Sequence, residues 1–252
     1  MNKLHVIVGA AMLAAAAAES AWAHAPAGTG GTIEGTTTTE GFAPLNGMCG
    51  KLYDAKGRTE LIDFAGTGTD GTDGHYIQEN VPAGHYLLLF VNCGANTDGK
   101  GPDFYYTPIF YGSTWNVHEA IKVTVQNHVL TSLAPQPIPH GGYVVGKVTD
   151  ATIGGPADTP PVAFVPPGGD SFFLDFSWTI VCGNPDGTYN SNTEFQQGVP
   201  PGAKVVFAPN GWGCTDSHGV FNDGKWVQKS KAVTIMEGAT AKENAKIVET
   251  GN

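Results

Sequence analysis

The stretch that decides the fold is residues 73–93, DGHYIQENVPAGHYLLLFVNC. Its polar first part, its Val81-Pro82-Ala83-Gly84 turn and its HYLLLFV run read as strand, tight turn and strand, ending on Cys93. HYLLLFV is apolar on both faces, which places it at the centre of a sandwich rather than at an edge. A variant recurs at 186–214, DGTYNSNTEFQQGVPPGAKVVFAPNGWGC, and also ends on a cysteine. The echo predicts one β unit used twice.

Outward from that stretch the correspondence holds. Gly30-Gly31-Thr-Ile-Glu-Gly35 matches Gly141-Gly142-Tyr-Val-Val-Gly146, Phe110 to Trp115 matches Phe221 to Trp226, and Val123-Thr-Val125 matches Val233-Thr-Ile235. A nearly constant offset of about 110 positions across a whole unit marks an internal repeat. In the first unit the expected strands are Thr32–Thr39 at an edge, Leu45–Asp54, Leu61–Phe64, the pair His75–Gln78 and His85–Val91, Ile121–Val125 and Val129–Leu133. Pro135 to Gly142 reads as a stiff Pro-rich linker. The second unit restarts at Tyr143–Thr149. Pro156–Gly169 reads as a loop. Ser171–Cys182 reads as a longer strand with Phe172, Leu174, Phe176, Trp178, Ile180 and Cys182 on one face. Ala239–Val248 has helical composition, but its place in the repeat calls for a closing strand. The fold class expected is therefore all-β, two tandem Greek-key-like sandwiches. The organisation expected is a signal peptide over 1–23, a flexible lead over 24–31, a first sandwich over 32–134, a linker over 135–142 and a second sandwich over 143–252.

The signal peptide rests on Lys3, the apolar run Val6–Ala18 and the small residues of Ala21-Trp22-Ala23. A run of that length is short for a membrane span, which needs about 20 residues. The expectation is a secreted or periplasmic protein with no membrane span. A formal charge of −10, with 13 Lys and Arg and no basic run, speaks against nucleic acid as a partner. The four cysteines of an exported chain are read as disulfides. The repeat pairs Cys49 with Cys93 and Cys182 with Cys214, each worth roughly 3–4 kcal/mol.

The string PIFYGSTWNVHEAIKVTVQNHVLTSLAPQPIPHGGYVVGKVTD (108–150), taken with TDGHYIQENVPAGHYLLLFVNC (72–93), resembles the carboxypeptidase regulatory-like repeats of exported bacterial proteins. That resemblance implies prealbumin-like, Ig-like sandwiches acting as spacers, adhesion modules or sugar-binding modules, and it transfers no catalytic residue. The function expected is a non-enzymatic binding or structural module whose partner is a polysaccharide or a cell-surface protein.

Individual residues carry the alternatives. Tyr111, Trp115, Trp212 and Trp226 suit either a sugar-stacking face or the closed end of a core, since each has an apolar body and a polar tip. Tyr111 and Trp115 flank a turn and are the first choices for exposure. His24, at the mature N-terminus, would supply an amine and a ring nitrogen to copper in an oxidoreductase, with His75, His85, His118, His128, His140 or His218 as second ligand. A mobile HAPAGTGG lead argues against it. Asp70 and Asp73, with Asp186, sit in acidic turns that could feed calcium, yet Asp-Gly is also a preferred hairpin pair that needs no ion. Lys147 and Asn244 could be joined by an isopeptide bond, though an exposed strand lysine is ordinary. No cofactor is expected of the binding or structural module; copper at His24 or calcium at the acidic turns belongs to the alternatives.

Overall fold

The computed structural model describes residues 28–55, 60–64, 67–68, 73–95, 106–168, 180–191, 198–207, 212–214, 220–222, 229–236 and 238–248. Among them the regular elements are all β-strands. In chain order they are β1 Gly31–Thr39, β2 Gly47–Asp54, β3 Glu60–Phe64, β4 His75–Val81, β5 Gly84–Ala95, β6 Ile109–Phe110, β7 Lys122–Val125, β8 Leu130–Ser132 and β9 Gln136–Ile138. There follow β10 Tyr143–Asp150, β11 Gly155–Pro156, β12 Pro161–Val165, β13 Ile180–Cys182, β14 Thr188–Asn190, β15 Lys204–Phe207, β16 Trp212–Cys214, β17 Val220–Asn222, β18 Lys229–Ala232, β19 Thr240–Lys242 and β20 Ala245–Ile247.

The run HYLLLFV organises the first half as its composition requires. β5 is antiparallel to β2 on one side and to β6 and β7 on the other. Its alternate residues feed two cores. Tyr86, Leu88 and Phe90 join Met48, Leu52, Ile62, Val123 and Val125 on one face, against Ile33, Tyr76, Val81 and Ile138 of the facing sheet. Leu87, Leu89 and Val91 join Tyr53, Phe110 and Val117 on the other. Burial of side chains of this size contributes about 1.5–3 kcal/mol apiece, so β5 is the principal apolar contributor to this half.

Two expectations for the first half are corrected. His75–Gln78 and His85–Val91 do not pair with each other: β4 pairs with β1 and β5 with β2. β4 leaves Ile77 and Glu79 exposed, whereas β5 is buried on both faces, so they suit different layers. The Val81–Gly84 turn carries the chain between layers instead of closing a hairpin. Thr32–Thr39 is not an edge. β1 has β4 antiparallel on one side and β8 and β9 parallel on the other. A Thr-rich strand is tolerated there because its hydroxyls are used: buried Thr37 Oγ1 donates to Leu45 O at 2.6 Å and lies 3.1 Å from Thr67 Oγ1.

The expected linker is also corrected. Gln136–Ile138 is β9, in register with Thr37–Thr39, and Ile138 is wholly buried. Alternate prolines at 135, 137 and 139 point their missing donors away from β1, because successive peptide groups face opposite sides of a strand. The alternate prolines thus serve a strand added to β1.

The second half repeats the plan. β10 has β14 antiparallel on one side and β19 and β20 parallel on the other, as β1 has β4, β8 and β9. β12 lies between β13 and β15, and β15 continues to β18. The Asp-Gly-x-Tyr strings occupy the same place in both. Gly74 and Gly187 have φ of +70° and +80°, and their carbonyls accept the N–H of Thr37 and Val148 at 2.8 Å. Tyr76 then lies opposite Gly35 and Tyr189 opposite Gly146, each ring on the space a side chain would fill. Each ring meets the central strand edge-on, Tyr76 with Phe90 at 5.4 Å and Tyr189 with Phe207 at 5.9 Å.

Pro156–Gly169 contains β12, PVAFV, buried throughout, and is not a loop. Pro161 starts that strand and Pro166 follows it, the positions at which a sheet accepts proline. Of the expected strand Ser171–Cys182 only β13 lies within the described residues. Ala239–Val248 forms β19 and β20, as the repeat required. Among the described residues no strand before 139 pairs with one after 142, and the apolar cluster of the second half draws only on Val144 onward.

Cys182 and Cys214 are bonded, tying β13 to β16 with Cα atoms 5.7 Å apart. Cys49 is also disulfide-bonded. It stands opposite Val91 on β5, two positions before Cys93, whose side chain lies outside the described residues.

Candidate functional site

Tyr111 and Trp115 belong first to the core. Tyr111 N–H donates to Leu88 O at 2.8 Å, and its hydroxyl accepts the Ala134 N–H at 3.2 Å. Trp115 donates from Nε1 to Pro108 O at 2.8 Å and packs against both apolar clusters of the first half. Both are half-buried, between the core-closing and the ligand-facing roles that the sequence left open: the segment 111–121 lies over β5, and these rings hold it there. Trp212 starts β16, but its side chain, like the whole of Trp226, His24, Asp70 and His218, lies outside the described residues. Asp73 is exposed and accepts from Asn46 Nδ2 at 3.3 Å, while Asn46 Oδ1 accepts the Gly74 N–H at 2.6 Å. Asp186 Oδ1 accepts from the Thr188 hydroxyl at 2.6 Å and from its N–H at 3.0 Å. Asp186 is used by its own turn, and Asp73 by Asn46 of the segment before β2. Among the described residues no three His, Cys, Asp or Glu side chains gather to hold a metal. Asn244 Oδ1 accepts the backbone N–H of Lys147 at 2.9 Å, and the Lys147 side chain is exposed.

Trp115 does show part of its ring to a groove of about 520 Å³. Its other walls are Glu40, Phe42, Ile109, Ser113, Pro137, Pro139, His140 and Pro201. The groove is built by the turn that leaves β1. Phe42 N–H donates to Thr39 O at 2.9 Å, Thr39 N–H to Ala43 O at 2.8 Å, and Ala43 N–H to Thr39 Oγ1 at 3.2 Å. These bonds hold Phe42 at φ +62° with 74% of its surface exposed. A left-handed backbone at a residue other than glycine costs about 1–3 kcal/mol, and such residues gather at ligand clamps. Ser113, also on the groove wall, has φ +60°. Buried Gln136 bolts it down, accepting from Gly112 N–H at 3.0 Å and donating to Ser113 Oγ at 3.1 Å.

His140 closes one end, with the Tyr106 ring edge-on at 5.0 Å. Among the described residues the lining carries one carboxylate, Glu40, and neither Lys nor Arg. An exposed aromatic, a half-buried indole and a row of pyrrolidine rings offer flat apolar surface, while Glu40, Ser113 and His140 offer hydrogen bonds. Sequence reading singled out Trp115, and His140 as a possible copper ligand, but missed Phe42, Glu40 and the prolines. The available signal was a large aromatic between Gly41 and Pro44, where a turn would otherwise be polar.

No protein-family model and no curated protein matches the chain. Solved structures similar to it include the Bacillus anthracis TIE protein, at 13% identity and TM-score 0.31, over 88% of this chain and 34% of that one. A streptococcal ancillary pilin gives 13% identity and TM-score 0.32, over 90% of this chain and 64% of that one. The minor pilin of Streptococcus agalactiae gives 11% and 0.32, over 88% and 97%. The chain spans about a third of the first and less than two thirds of the second. At these TM-scores the likeness assigns nothing to the chain.

Proposed function

We propose that the protein is an exported, non-enzymatic β-sandwich module that binds a neutral polysaccharide in the groove beside Phe42 and Trp115. Export is carried by the N-terminal signal pattern, and the resemblance to carboxypeptidase regulatory-like repeats agrees with a binding module. The observation that carries the ligand class is Phe42, an aromatic ring kept exposed in an unfavourable backbone conformation, on a wall shared with an indole and a carboxylate. Flat apolar faces with a few convergent polar groups suit sugar rings, which have an apolar face and hydroxyl edges. The absence of Lys and Arg among the described lining residues, with a net charge of −10, favours a neutral chain over an anionic one. The sheets and cores divide between Ile138 and Tyr143, and we take residues up to 140 and from 141 as two domains.

The test is affinity electrophoresis of the mature protein through gels containing hydroxyethylcellulose, galactomannan or arabinoxylan. The wild type is expected to be retarded by at least one of them. Phe42→Gly is expected to lose that retardation while gaining about 1 kcal/mol of stability from relief of the left-handed phenylalanine. Equal mobility of the wild type with and without every polysaccharide overturns the proposal, as does undiminished retardation of the variant.

A further inference from the structure

We propose that this groove is a composite site completed by the second half of the chain, so that a bound ligand locks the two halves together; this rests on the carbohydrate reading above. Eight of the nine lining residues belong to the first half, and Pro201 comes from the second. Pro201 is not a passing loop residue. Ala203 N–H donates to Pro200 O at 3.2 Å, and Gly202 has φ +76°, so Pro201 and Gly202 fill the two central places of a tight turn whose geometry both residues favour. The turn presents an exposed pyrrolidine ring to the groove at fixed height. Just ahead of it, Gly198 N–H crosses to the first half and donates to Tyr106 O at 2.9 Å. Tyr106 is the residue whose ring meets His140, and His140 lines the groove three positions before β10 begins.

The ligand surface and the junction between halves therefore share residues. Pro139 and His140 are groove wall and covalent connection at once, and Pro201 and Gly198 lie on the same short segment. A sugar chain lying on Phe42, Trp115 and Pro201 contacts both halves only when they are docked. By linkage, it then favours the docked arrangement over any other by its extra contact with Pro201.

The experiment uses the full mature chain and the neutral polysaccharide that retards it most in the panel above. Backbone hydrogen exchange is followed with and without that polysaccharide, and affinity is measured for Pro201→Ala and Pro201→Glu. Binding is expected to slow exchange of the Gly198 amide several-fold in the wild type. Pro201→Ala is expected to weaken binding about threefold to tenfold, to lower the melting temperature by no more than a few degrees and to abolish the slowing. Pro201→Glu is expected to weaken it further. Wild-type affinity in both variants, or slowing confined to amides of the first half, overturns the composite site while leaving carbohydrate binding intact. Binding to no member of the panel overturns both.

Discussion

At the scale of single residues, the matched pairs Gly35–Tyr76 and Gly146–Tyr189 give the sharpest contrasts. A β-carbon on Gly35 would meet the end of the Tyr76 side chain at 2.4 Å, and a ring can tilt away. One on Gly146 would meet the Glu243 backbone carbonyl at 1.6 Å, and that cannot move without breaking the Tyr189 hydroxyl bond to the same oxygen at 2.7 Å. Gly146→Ala is therefore expected to cost about 3 kcal/mol or more and Gly35→Ala about 1 kcal/mol, measured by chemical denaturation. Equal costs would show that the backbone at 243 yields freely.

The same tyrosines set an alkaline limit. Burial raises the phenols of Tyr76 and Tyr189 well above their ordinary value of 10.0, with Tyr111 adding to the first and Glu243 to the second. The fold favours the neutral phenol, so the stability they contribute is complete below pH 10 and is lost as pH rises towards the folded values. A tyrosine absorbance titration should show at least two of the eight tyrosines ionising only as the fold is lost. On the acid side, Asp186 is held below its ordinary 3.8, first by the Thr188 hydroxyl and then by its N–H, with Lys147 assisting. Its contribution is present above that value and lost as pH falls below it, so Asp186→Asn should flatten the acid end of the stability profile.

At the scale of elements, β9 is where the linker reading and the structure differ most, and they predict different numbers. A linker isoleucine could be cut to alanine at little cost. Ile138 lies wholly inside the first core, so Ile138→Ala should destabilise the first half by about 2–5 kcal/mol, read by denaturation. Removing the bond between Cys182 and Cys214, which closes a separation of 32 residues, should cost about 3–4 kcal/mol and affect the second half alone. The elements also show what a sequence makes legible. β5 and the Asp-Gly-x-Tyr strings could be read because burial on both faces and a required positive φ each leave a local mark. The sheet that a strand joins leaves none. Val81–Gly84 reads as a hairpin turn whether it returns beside β4 or crosses to the other layer. β12 was hidden by the prolines that bound it. Phe42 was missed because one aromatic in a turn has no period to reveal it, and its conformation comes from hydrogen bonds to Thr39 that sequence does not display.

At the scale of the molecule, repetition was legible and its use was not. The double glycines, the Val-Thr-Val strand and the two stretches that each end on a cysteine announced two copies of a plan, and the strand order of the two halves agrees with them. The groove could not be read this way, because it joins the turn after β1, the segment over β5, the prolines of β9 and a turn of the other half. If the halves are separate domains, calorimetry should resolve two transitions. Phe207→Ala, in the second core, should then lower only one of them.

One consequence concerns how such a chain comes into being. β1 is hydrogen-bonded on one flank to β8 and β9, about a hundred residues downstream, and β10 waits in the same way for β19 and β20. At roughly 5–20 residues per second of synthesis, the first strand of each half spends on the order of 5–20 s without its last partners. Neither half can close early, which would suit the export proposed above, and it leaves a Thr-rich opening strand, poor in bulky apolar groups, as the part that has to wait.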